Sequence, residues 1–576
     1  MMDIKSGIDA AVGKKKAELV LKNCNIINVF TLEIIKGDIA IEADYIVGIG
    51  EYSGETEVDV DGKYVAPGFI DSHVHLESSM VTPARFAEAV VPCGTTTVIA
   101  DPHEIANVCG ADGIRYILEE SKNVPLDVHV MIPSCVPATP FEEAGAVLDA
   151  KAVDELLDLD GVLGLAELMN YPGVLSCDED ILKKVEAAKK RNMIIDGHAP
   201  RLSNKELAGY VMSGALSDHE CTSRREMMEK MRLGMYIHIR NGTIGKEIRH
   251  LIKGIKQNNM RFATFCTDDR HPHDIIKIGH INSALKIAVE NGVEPAAAVA
   301  MATLNPATCY GLEKVGAIAP GYIADIVVLK DVKGFAVEQV YKAGKLVAEN
   351  GVAKFEAKSS DTAKVTGTVK FQKITVEDLK IKLDKERVRV IMPADDSVQT
   401  IKSMATVTVK DGYFQYDREN GICKVVVVER HQGKKSLGVG LISRFEIKNG
   451  AIAQTIAHDS HNIVAVGDND ADIVTAVNEL SKDNEGGVIL VHGGEVIKKL
   501  ALPIAGLMST LPLRKVSEII EDIEETAYNV LEMNRTSNPM MVLAFLALPV
   551  IPEMRVTTKG LFDVSDFKFV DTTEEV

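Results

Sequence analysis

The chain has 576 residues, too many for one hydrophobic core, so about two to four domains are expected. Its 46% hydrophobic and 26% charged residues are those of an ordinary globular protein. The formal charge of −19 argues against a nucleic-acid partner and gives no reason to expect a membrane surface.

The opening MMDIKSGIDAAVGKKKAELV lacks the apolar core of a signal peptide, and no later apolar run is long enough to span a bilayer. The nine cysteines are scattered, odd in number and never spaced C-x-x-C, which suits a reducing compartment. Together these features predict a cytoplasmic protein. From Ala17, AELVLKNCNIINVF, GDIAIEADYIVGIG and VDVDGKYVAPG alternate β-rich runs with turn residues and predict strands of a small sheet.

After Ile70 the rhythm changes. Apolar runs now alternate with helical stretches such as PARFAEAVVPCG and DILKKVEAAKKRN, the pattern of a parallel α/β domain. Eight runs are candidate strands: APGFIDSHVHL, TTTVIADPHE, LDVHVMIPSC, VLGLAEL, MIIDGHAP, ALSDHE, MYIHIRNG and FATFCTDD. From Ile70 to Tyr310 the chain is close to the ~250 residues of a (β/α)₈ TIM-like barrel. A doubly wound sheet is the alternative, but no Gly-rich fingerprint follows the first strand.

VGAIAPGYIADIVVLKD and QVYKAGKLVAENG then return to short strands and turns. Residues 1–66 and 311–355 are therefore expected to form one composite β-domain, with the barrel at 67–310. The polar stretch AKSSDTAKVTG at 357–367 reads as a linker, and residues 368–576 as a C-terminal α+β domain.

In such a barrel the C-terminal ends of the strands carry the chemistry. Here the first end bears His73 and His75, which the two-residue period of a strand places on one face. The second bears His103 and Glu104, the fourth Glu167, the fifth His198, the sixth His219, and the eighth Asp268 and Asp269. One histidine at a strand end is usually a satisfied buried residue, but so many ligand-capable groups point to metal. Imidazoles mixed with carboxylates suit Mn²⁺, Fe²⁺ or Zn²⁺. The donors exceed what one ion needs with a water site left open. His73, His75 and Asp268 are expected on one ion and His198 and His219 on a second, with Glu167 bridging. His129 and His238, inside the third and seventh strands, read as packed interior residues. His271 and His273 fall in the loop after the eighth. His458 and His461 have three readings, a helix cap, a further ion site or a lid over the barrel mouth; a structural role is favoured slightly, since a histidine pair without a nearby third ligand is a poor metal site.

The order VAPGFIDSHVHLE, then histidines on the fifth and sixth strands and an aspartate on the eighth, resembles the amidohydrolase superfamily. Within it, DPHEIANV, GLAELMNYP, CTDDRHPHD, HDSHNIVAVGDND and LPIAGLMS are similar to the bacterial adenine deaminases, so the likeness runs nearly end to end. Many binuclear relatives bridge their ions with a carbamylated lysine on the fourth strand. Glu167 stands there instead, which speaks against the ring-opening amidases. The H-x-E…P-C-x-x-C signature of cytidine deaminases is absent.

The resemblance implies hydrolysis of adenine to hypoxanthine and ammonia in purine salvage, with Mn²⁺ the foremost ion and a homo-oligomeric assembly. That reaction needs a strong nucleophile, a protonated ring nitrogen and a protonated leaving amine. Asp268 is the expected carrier of a proton from water to the leaving nitrogen, and Glu104 the acid for the ring nitrogen, with His103 beside it. Glu104 could instead merely satisfy amides at a helix N-terminus. Asp269 is the candidate substrate holder. The competing readings are an amidohydrolase acting on a cyclic amide or N-acetyl group, and a non-catalytic barrel.

Overall fold

The computed structural model describes residues 3–573, apart from 396, 418–419 and 536–537. Eight strands form the middle of the chain: Phe69–Val74, Thr95–Ala100, Asp127–Ile132, Val162–Leu168, Ile194–Gly197, Ser217–Asp218, Tyr236–Arg240 and Ala263–Cys266. The first five pair in parallel as one sheet and the last three as another. Leu216 N–H donates to the Ile195 carbonyl at 2.9 Å, joining the fifth strand to the sixth. At the other seam Val74 bridges Asp268 in parallel. There Asp268 N–H donates to His73 O at 3.0 Å and His75 N–H to Asp268 O at 3.2 Å. The result is a closed (β/α)₈ barrel.

Closure explains the sequence texture, because strands covered on both faces need not alternate. All six residues of TTTVIA are buried, as are all six of FIDSHV. Where neighbouring strands come closest only glycine fits: a Cβ on Gly197 would lie 2.1 Å from the Ser217 carbonyl oxygen. Polar residues inside the barrel are paired. Thr267 donates to Asp71 from its N–H at 3.0 Å and its hydroxyl at 2.5 Å, pinning the eighth strand to the first. The Tyr310 hydroxyl lies 2.7 Å from Ser72 O, 2.9 Å from Asp196 Oδ2 and 3.0 Å from His238 Nε2. His238 is thus an interior residue of this network, whereas His129 is only half-buried.

Strands Ala17–Asn28 to Tyr64–Pro67 share a nine-stranded sheet with Ile326–Leu329, Val337–Lys342, Lys345–Glu349 and Val352–Ala353. The two chain segments meet by antiparallel pairing of Val65 with Val328 and Ala66 with Val327. The chain therefore leaves this sheet at Pro67, builds the barrel and returns. A short helix, Ile4–Ala11, precedes it, capped by Asp3, whose side chain accepts the Lys5 N–H at 3.2 Å.

The stretch at 357–367 is a strap, not a free linker. Its Ala357 N–H donates to Glu88 at 3.0 Å, Ser360 N–H to Glu120 at 3.3 Å, and Lys364 pairs with Asp112 at 2.8 Å. Its polar residues find carboxylates on the barrel helices, which composition alone does not reveal.

The C-terminal region contains an eight-stranded sheet running from Thr400–Thr406 at one side to Glu495–Ala501 at the other. The run CKVVVV (Cys423–Val428) shows how it is covered. Val426 and Val428 face helix Asp470–Leu480. Val425 and Val427 join a continuous apolar cluster with barrel residues such as Leu76, Val81 and Ile105. Period-two alternation thus gives the sheet two buried faces, one against its own helix and one toward the barrel.

Behind the sixth strand Lys230 is fully buried, donating to Asp218 at 2.9 Å, Glu226 at 2.8 Å and the Ala199 carbonyl at 2.6 Å. Replacing Lys230 by Met leaves the buried Asp218 without a counter-charge, which costs about 3–5 kcal/mol. Urea unfolding of K230M is expected to show a clearly lower midpoint; an unchanged midpoint would contradict this role.

Candidate active site

His73 and His75 share one face of the first strand, and their Nε2 atoms are 3.3 Å apart. His75 Nδ1 lies 2.9 Å from the Asp101 carbonyl, so its N–H points outward and the Nε2 lone pair faces the mouth. Asp268 Oδ1 is 3.6 Å from His73 Nε2 and 3.1 Å from His75 Nε2. Its other oxygen takes a hydrogen bond from Arg240 at 3.0 Å. Asp268 adopts φ 56°, a left-handed conformation that aspartate tolerates better than most residues.

Glu167 lies at the centre. Its Oε1 is 3.8 Å from His73, 3.5 Å from His75 and 3.4 Å from His103 Nδ1. Its Oε2 is 2.6 Å from His198 Nδ1 and 3.2 Å from His219 Nε2. The two oxygens of one carboxylate thus serve two groups of imidazoles. Burial alone would push this carboxyl up, but His198 and His219 outweigh it and hold Glu167 well below the carboxylate range. Asp268 is likewise held low, against burial, by His73, His75 and Arg240. Burial disfavours a charged His219, yet Glu167 raises it to about 9. Burial and then the nearby His219 lower His73.

His73, His75 and Asp268 bring one donor atom each within 4.8 Å of one another, and so do His73, Glu167 and His219. Facing Nε2 lone pairs 3.3 Å apart repel unless a proton or cation lies between them, and the donor set of imidazoles and carboxylates matches borderline divalent ions. The residues therefore fit a metal group.

Glu104 occupies the first turn of helix His103–Cys109. It does not cap that helix: Glu77 accepts the Ile105 N–H at 3.0 Å. Glu104 instead lies 3.4 Å from His103 Nε2 and is hydrogen-bonded by His458 Nδ1 and His461 Nε2. The segment HDSHN therefore reaches the barrel mouth, one of the readings open from the sequence, in place of the structural role favoured there. The third partner that the histidine pair lacks locally is a carboxylate on the helix that follows the second barrel strand. His103 Nδ1 is also 3.3 Å from Asp101 Oδ2. Asp269 is half-buried and accepts from the Ser78 hydroxyl. His271 lines a cavity of about 230 Å³ with Met80, Thr243 and Met540, while His273 is exposed and pairs with Glu521 at 2.9 Å.

Sequence reasoning missed Asp101, Glu220 and Arg240, and gave the barrel mouth as only one of several places for the histidines of HDSHN. Asp101 and Glu220 each adjoin a strand-end histidine motif and were legible by position. Arg240 ends the seventh strand, pairing with Glu220 and Asp268, and a search for metal donors passes over arginine.

Residues 64–347 match the Amidohydrolase family and residues 397–568 the Adenine deaminase C-terminal domain. The adenine deaminase of Clostridium acetobutylicum is 52% identical over 571 residues, covering 99% of this chain and 100% of its own. Adenine deaminase 2 of Carboxydothermus hydrogenoformans is 48% identical, with 99% of each chain covered. Among solved structures, an enamidase of the amidohydrolase superfamily is 20% identical with a TM-score of 0.45, covering 60% of this chain and 98% of its own.

Because Glu167 serves both donor groups, Glu167→Gln is expected to weaken metal retention at least ~10-fold in competition with a chelator. Unchanged retention would remove Glu167 from the centre of the site.

Proposed function

The chain belongs to the adenine deaminases of the amidohydrolase family, and from that premise we propose that it hydrolyses adenine to hypoxanthine and ammonia at the barrel mouth. The observation that carries the reading is Glu167, whose two oxygens are shared between two groups of imidazoles. This supports a site for two divalent ions, Mn²⁺ foremost and Fe²⁺ or Zn²⁺ next. His73, His75 and Asp268 would hold one, His198 and His219 the other, and Glu167 both. Such ions would make a water acidic enough to serve as a nucleophile at neutral pH.

The chain's own groups then manage the protons. Asp268, oriented by Arg240, takes a proton from the attacking water and delivers it to the leaving nitrogen on C6. Attack at C6 drives electron density onto the adjacent ring nitrogen, N1, which must be protonated. Glu104 hands over that proton. Both its oxygens already accept hydrogen bonds from imidazoles, so it conducts a proton better than it stores one. His103, held by Asp101, keeps Glu104 oriented. Asp269, turned by Ser78, is suited to accept an N–H of the purine. The nine free cysteines support a cytoplasmic setting, and the family resemblance supports a homo-oligomer.

Mn²⁺-loaded protein given adenine is expected to release ammonia with an ultraviolet change, and D268N to lose ~100-fold or more in kcat. No turnover of adenine, together with release from an N-acetyl sugar or a cyclic amide, would overturn the assignment.

A further inference from the structure

The loop Ala457–Asn462 connects two strands of the C-terminal sheet, Gly450–Gln454 and Ile463–Gly467, yet its histidines reach a carboxylate of the barrel. We propose that His458 and His461 are positioning residues of the deamination site, together fixing both oxygens of Glu104, and that His458 supplies the proton Glu104 passes to the substrate. This rests on the reading of Glu104 as the acid for the ring nitrogen.

The two histidines are held differently. His461 Nδ1 accepts the Ala457 N–H at 3.1 Å, which leaves the ring's own N–H on Nε2, facing Glu104 Oε2. Its backbone N–H donates to Ala457 O at 2.7 Å, and its carbonyl accepts from Arg430, a fully buried side chain also bonded to Ala505 O at 2.9 Å. His461 is thus fixed in tautomer and in place. Burial lowers it to about 4 despite Glu104, so it serves as a neutral donor. His458 stacks on Phe545 with ring centroids 4.4 Å apart, and its backbone N–H donates to Ala544 O at 2.8 Å. The charged and titratable groups around it are Glu104, Asp269, Asp459, His271 and His461. Burial opposes its charge, but Glu104 and then the two aspartates raise it to about 9, so it carries a proton at neutral pH.

As Glu104 delivers a proton to N1, the His458 Nδ1–H bond breaks and a bond to Glu104 Oε1 forms. When the amine leaves, the C6 hydroxyl releases a proton, which restores His458 through Glu104. No oxidant, reductant or further reactant is needed.

Asparagine at 458 reproduces the Nδ1–H donor but cannot ionise, and glutamine at 461 reproduces the Nε2–H donor. H461A is therefore expected to lose ~10-fold in kcat, a loss that H461Q largely recovers, while H458N loses ~100-fold in kcat with little change in KM. Activity requires protonated His458, so wild-type kcat should fall as pH rises through about 9, a limb absent from H458N. In a double-mutant cycle, adding H458N to E104Q should cost nothing more. H458N at wild-type rate with the limb intact, beside an inactive E104Q, overturns this inference alone. So do multiplying losses in the double mutant, or loss of a third bound ion per chain in H458N. An E104Q enzyme at wild-type rate instead sinks the reading of Glu104, and the inference with it. Should H458N not fold, a flat wild-type profile up to pH 10 contradicts the proposal on its own.

Discussion

A carboxylate buried at the centre of a barrel is the constraint on which the rest of this structure depends. An uncompensated buried charge costs several kcal/mol, so Glu167 requires partners on every side. The barrel supplies them from the ends of its first, second, fifth and sixth strands, which converge only because the sheet closes. Closure in turn is fixed at the Val74–Asp268 seam, where the backbone of His73 and His75 is bonded to that of Asp268. The hydrogen bonds that shut the barrel therefore also set the spacing of three metal-directed side chains.

Much of this was legible in the sequence, for physical reasons. His73 and His75 could be placed on one face because a strand's period is two. The eight apolar runs could be counted because strands buried on both faces stay mostly apolar until they end, the few polar residues within them, such as Asp71 and Asp196, being paired inside the barrel. The polar residue at the end of each run then falls at the mouth, where Glu167, His198, His219 and Asp268 lie together. Asp101 escaped because its position was credited to its neighbours, and Arg240 because its role is to hold a carboxylate in place, not to bind an ion.

What remained hidden lies in contacts between distant parts of the chain. Glu104 and His458 are 354 residues apart, and no local pattern announces their meeting. The strap at 357–367 reads as a linker for the same reason: its amides find Glu88 and Glu120, carboxylates that sequence spacing cannot associate with it. The C-terminal region reads as an α+β domain on its length, but only the split of Val425 and Val427 from Val426 and Val428 shows that one face of its sheet belongs to the barrel's core. An apolar interface of that kind does not part readily, so the loop bearing His458 and His461 is held at the mouth by the packing of the whole region.

The central claim is that one carboxylate organises two metal positions. Anomalous diffraction at the manganese edge, from crystals grown with Mn²⁺, tests it directly. Two peaks are expected on either side of Glu167, one among His73, His75 and Asp268 and the other beside His198 and His219. A single peak that leaves Glu167 without a metal contact would contradict it.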